Sequence, residues 1–138
     1  MNILFDTNII LDVFLERETF FENSVHLLDL AEKRILNGWL GATTVTTLYY
    51  LLQKELNKKR ANQITKSLFK IFNVCPVNRT VLETAIETNF NDYEDAVLFQ
   101  AAYHSSLDGI LTRNKKDFKN ATISVYTPEE LISALQEL

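Results

Sequence analysis

The chain has 138 residues, 46% of them hydrophobic and 23% charged, with 3 Gly, 2 Pro, 1 Cys and a net charge of −4. This composition excludes a disordered chain, a fibrous repeat and a disulfide scaffold, and the length suits one domain over residues 1–138 with a radius of gyration of about 14 Å. Asp6 and Asp12 interrupt the first apolar residues, and the longest apolar run, Leu48 to Leu52, is far below the roughly 20 residues of a membrane helix. A cytoplasmic protein without an export signal or membrane segment is expected.

Along the chain, Asn2 to Phe5 is an apolar strand ending at Asp6, followed by an amphipathic helix carrying Ile9, Ile10, Val13 and Phe14. A helical stripe continues through Leu27, Leu28, Leu30, Ala31 and Ile35 toward a stop at Asn37-Gly38. Trp39 to Ala42 reads as a second strand, and Thr43-Thr44 caps a helix with Val45, Leu48, Tyr49, Leu52 and Leu56 on its apolar face. Arg60 to Phe72 is another helix. Val74-Cys75-Pro76-Val77 is a third strand whose proline suggests a sheet edge or a strand end. Asn78 caps a helix through Thr88, and Asn91-Asp92 introduces an alanine-rich helix through Tyr103. Gly109 to Thr112 and Ile123 to Tyr126 are the last strands, and Thr127-Pro128-Glu129-Glu130 opens a final helix. Such alternation predicts an α/β fold of three layers, with helices on both faces of a parallel sheet of four to five short strands. Ligands of such sheets bind beyond the carboxyl ends of the strands.

The polar residues at those ends define the candidate site. Asp6-Thr7-Asn8 leaves the first strand and Thr112-Arg113-Asn114 leaves the fourth, with Asp117 three residues farther on. Asp92 and Asp95 share one side of a first helical turn. Clustered carboxylates raise one another's pKa unless a cation neutralises them, and hard oxygen ligands suit Mg²⁺ or Mn²⁺. One cysteine and two separated histidines are poor material for zinc. Helix capping is the alternative role for Asp6, for Asp95 and for Asn114 with Asp117. His26, His104, Trp39, Tyr49 and Tyr50 read as surface or packing residues.

The basic residues are grouped despite the negative total. The windows Lys54 to Lys70 and Arg113 to Lys119 hold 10 of the 14. A solvated helix face is the usual meaning of such runs, and contact with a phosphate backbone through Lys54, Lys58, Arg113, Lys115 and Lys116 is the functional one.

Three segments, Ile3-Leu4-Phe5-Asp6-Thr7-Asn8, Asp95-Ala96-Val97 and Leu111-Thr112-Arg113-Asn114-Lys115-Lys116-Asp117-Phe118, together resemble a PIN domain over nearly the whole chain. Small stand-alone PIN proteins resemble the toxins of bacterial toxin-antitoxin pairs. The resemblance implies a Mg²⁺- or Mn²⁺-dependent endoribonuclease that leaves 5′-phosphate and 3′-hydroxyl ends, is dimeric and is inhibited by an antitoxin. It matches Asp6 and Asp95 to metal-binding, catalytic acids and Asn114 to a further catalytic position, with Asp117 in support; from their placement, Asp92 is expected to join the metal shell and Thr7, Asn8, Thr47 and Thr112 to support the site. The family usually carries an acid early in the helix after the second strand, where this chain has Thr47. A hydroxyl there is a weaker ligand, so reduced metal affinity is expected, with Asp92 compensating. The alternative is a catalytically degenerate module that binds RNA or protein. A phosphatase with Asp6 as nucleophile is disfavoured because Asn8 stands where a second Asp is needed.

Overall fold

The computed structural model describes residues 1–137. Five strands, β1 (Asn2–Phe5), β2 (Asn37–Gly41), β3 (Asn73–Cys75), β4 (Gly109–Leu111) and β5 (Ser124–Tyr126), form one parallel sheet in the order β3-β2-β1-β4-β5. Helices α1 (Thr7–Phe14), α2 (Phe21–Glu32), α3 (Ala42–Glu55), α4 (Lys58–Ile71), α5 (Arg79–Glu87), α6 (Tyr93–His104) and α7 (Pro128–Gln136) connect and follow the strands. A 3-10 turn at Lys115–Phe118 lies between β4 and β5.

The two-residue period of a strand sorts the core into two halves. Ile3 and Phe5 pack with apolar residues of α1, α2, α3, α4 and α7, while Leu4 packs with those of α5 and α6. Burial on both faces explains why β1 is continuously apolar. The α6 helix is buried on several sides through Ala96, Val97, Leu98, Phe99, Ala101 and Ala102.

The chain builds outward from β1 to β2 and β3, then returns to place β4 on the other side of β1. The order therefore reverses between β1 and β4. Their carboxyl ends diverge into a crevice, and the residues following them, Asp6 and Thr112, stand at its floor.

The expected cap at Thr43-Thr44 is not made, since α3 starts at Ala42 with Gly41 as its N-cap and no side-chain capping bond, and two further boundaries differ from the periodicity. The first helical stripe is broken between Phe14 and Phe21, with Glu16 and Thr19 at φ 49° and 70°. The Arg17 N–H donates to the Asp12 carbonyl at 3.0 Å and closes this turn locally, without a glycine or proline signal. Asn37-Gly38 opens β2, and α2 ends at Glu32. The following turn holds Arg34 at φ 62°, where its guanidinium donates to the carbonyls of Ile71 at 2.6 Å and Lys70 at 2.8 Å. Gly38 is needed for packing: a Cβ there would sit 2.6 Å from the Phe72 ring, which meets Phe5 edge-on at 4.9 Å between centroids. Pro76 follows β3, which is an edge strand as its proline suggested.

Candidate metal centre

Asp6 leaves β1 and caps α1. Its Oδ1 accepts from the Thr7 N–H at 2.8 Å, and its Oδ2 accepts from Thr112 Oγ1 at 2.8 Å. Capping and a site role thus coexist in one side chain. The Asp6 N–H continues the sheet by donating to the Leu111 carbonyl at 2.9 Å. Thr112 is fully buried and also accepts from the Asn114 N–H at 3.1 Å, so one hydroxyl ties β1 to the loop that presents Asn114. Asn114 precedes the 3-10 turn without a side-chain capping bond, which leaves its amide to the cleft.

Asp95 enters from α6, in the helix's first turn, where the dipole favours a carboxylate. The cleft has a volume of about 250 Å³ and is lined by Asp6, Thr7, Asn8, Thr47, Glu94, Asp95, Leu98, Asn114 and Asp117. Burial, and then the neighbouring charges of Asp6, Asp92, Asp117 and Glu94, push the Asp95 carboxyl up to about 7. Burial also raises Asp6, offset in part by the bonds from Thr112 and Thr7. Two acids both raised in one pocket, Asp95 to about 7, mark an unmet demand for positive charge.

Asp6, Asp95, Asn114, Thr7, Asn8, Thr47 and Asp117 therefore share one cleft, with Thr112 beneath it. Asp92 stands apart: it caps α6, its Oδ1 accepting from the Asp95 N–H at 3.2 Å, and it does not line the cleft. The bond it makes is to the backbone of Asp95, in the helix's first turn. Arg113 is likewise not a free phosphate contact. Its guanidinium lies 2.9 Å from the Oδ2 of the fully buried Asp12 and 4.2 Å over the Phe20 ring, so its charge already has a partner. Lys115 reaches Glu130 at 3.0 Å on the surface, and Lys116 is exposed beside the cleft loop. Lys54 and Lys58 flank the turn between α3 and α4, with Lys54 about 10 Å along the helix axis from Thr47.

Glu94 was not singled out by sequence. It lies in the first turn of α6 beside Asp95 and lines the cleft together with Thr47. The available signal was an acid next to a site aspartate in a chain lacking the acid at position 47.

The donor set consists of carboxylates and an amide oxygen, which suits a hard cation. Among the described residues, no group of three His, Cys, Asp or Glu side chains is arranged to hold an ion. Coordination completed by water is how Mg²⁺ is ordinarily held, so the residues fit such an ion.

The profile of the PIN domain family matches residues 2–116. Ribonuclease VapC1 of Aquifex aeolicus (strain VF5) is 32% identical over 130 residues, covering 91% of this chain and 89% of the relative. Similar solved structures include FitAcB from Neisseria gonorrhoeae, with TM-score 0.68 and 24% identity over 92% of this chain and 98% of the other. VapBC2 from Rickettsia felis, bound to a DNA fragment from its promoter, superposes with TM-score 0.70 and 15% identity over 92% and 98% of the two chains. The sheet order, the strand-end acids and these similarities agree: the chain belongs to the PIN domain family and is a homologue of the VapC-type ribonucleases.

Proposed function

We propose that this protein is a metal-dependent endoribonuclease and the toxin of a toxin-antitoxin pair. The observation that carries this is the meeting of Asp6, Asp95, Asn114 and Asp117, delivered by β1, α6 and the loop after β4, in one polar cleft at the sheet's switch point. Asp6 and Asp95 would hold Mg²⁺ or Mn²⁺, with the Asn114 amide oxygen beside them. Such an ion supplies Lewis-acid polarisation of a phosphodiester and lowers the pKa of water. Thr112 and the Thr7 N–H fix the Asp6 carboxylate, and Asp92 orients the first turn of α6 so that Asp95 faces it. Exposed Lys116 would meet the RNA backbone.

The name of the Aquifex relative supports the RNA substrate, and the toxin-antitoxin complex among the similar structures supports an antitoxin partner. No helix among the described residues is long and apolar enough to cross a membrane. A cytoplasmic homodimer is part of the proposal. The test is RNA cleavage with Mn²⁺, Mg²⁺ or EDTA, comparing the parent with Asp6→Asn at unchanged folding. Cleavage that needs the ion and Asp6 is expected. Thr47 favours a second reading, a degenerate RNA-binding module, which wins if RNA binds equally with Mn²⁺ and EDTA and is never cut.

A further inference from the structure

A second, smaller depression of about 10 Å³ adjoins the cleft, lined by Thr7, Thr43, Thr44, Thr47, Glu94 and Leu98. That is room for about one water molecule. Thr47 and Glu94 line both spaces, so they form the shared wall. Close approach of the end of β2 to α6 sets this wall: a Cβ on Gly41, the last residue of β2, would lie 2.7 Å from Leu98 Cδ2. Leu98 is one helical turn beyond Glu94 and on the same face. Thr44 is 2% exposed, and its Oγ1 has no hydrogen-bond partner. A buried hydroxyl without a partner is costly, and here it lines the same water-sized space as a carboxylate-bearing residue.

We infer that Glu94 replaces the acid missing at position 47, supplying from α6 the negative oxygen donor that most of the family places on α3, with Thr44 supporting it through the adjoining water-sized space. This rests on the metal-centre reading of the cleft. A short neutral residue at 47 is what such a swap requires, because the cleft already holds Asp6, Asp95, Asp117 and Glu94. A fifth carboxylate would add repulsion without adding a position. Mn²⁺ would therefore be held by this chain without an acid at position 47.

The test is isothermal titration of the full chain with Mn²⁺ alone, alongside RNA cleavage. Glu94→Gln is expected to raise the Mn²⁺ Kd about tenfold, the scale of losing a supporting carboxylate. Adding Thr47→Glu to Glu94→Gln restores affinity, whereas Thr47→Glu alone gives no gain. Asp6→Asn is the control for the centre itself. If Asp6→Asn weakens Mn²⁺ binding and Glu94→Gln does not, this inference is overturned and the metal centre stands. If Asp6→Asn also has no effect, the metal-centre reading falls and carries the inference with it. A gain in affinity from Thr47→Glu in the parent would equally overturn the swap. Circular dichroism of each variant establishes that the fold is retained.

Discussion

The Thr112 hydroxyl donates to Asp6 at 2.8 Å and accepts from the Asn114 N–H at 3.1 Å, joining two strand ends that are 106 residues apart in sequence. Both contacts are shielded from water, since Thr112 is fully buried and Asp6 is 7% exposed. Thr112→Val keeps the shape and removes both bonds. A loss of about 1–3 kcal/mol in urea unfolding is expected, because a buried carboxylate oxygen and an N–H lose their partner together. Thr112→Ser should recover most of it. A valine variant as stable as the parent would show that water replaces the hydroxyl.

The buried Asp12 pairs with the partly exposed Arg113, 101 residues away, with Arg17 3.6 Å from the same carboxylate. Removing one member strands the other. Arg113→Met should cost about 3 kcal/mol, and the double variant Asp12→Leu with Arg113→Met should regain most of it, because a matched apolar pair carries no buried charge. Equal loss in the single and double variants would contradict this. RNA binding separates the two cation classes. Lys116→Ala should lower the slope of log affinity against log salt by about 1, and a charge-neutral change at Arg113 should act mainly through folding.

The fold was legible in sequence because parallel strands buried on both faces are short apolar runs, and because Asn78, Asp92 and Thr127 are strong caps, each making its expected bond. The break after Phe14 was not legible, since Glu16 and Thr19 adopt positive φ in a turn closed onto Asp12, and neither residue type announces it. Asp6 and Asn114 could be placed together from strand ends, and Asp95 joined them from the first turn of a helix and the family resemblance. Arg113 could not: a basic cluster looks alike whether its members face water or a buried aspartate. Glu94 escaped notice because its partner in the argument, Thr47, lies on a helix 47 residues earlier, and only the folded cleft, which both line, brings them to one wall.

The acids of the cleft also set a pH dependence. The Asp95 carboxyl sits at about 7, above its ordinary 3.8, chiefly through burial and then through the charges of Asp6, Asp92, Asp117 and Glu94. A raised acid favours the folded state while it is protonated. Its stabilisation is complete below about pH 4 and is lost as pH rises toward 7, and Asp6 acts in the same direction. In EDTA, the Tm of Asp95→Asn relative to the parent should therefore increase between pH 4 and 7. Mn²⁺ needs the ionised acid, so its stabilisation of the parent should grow over the same interval and be largely absent in the variant. Thermal melts at half-unit steps, with EDTA and with Mn²⁺, measure both effects. Parallel pH curves for parent and variant in EDTA would mean that Asp95 is solvated well enough to ionise at its ordinary pH, and the unmet demand for positive charge in the cleft would then be absent.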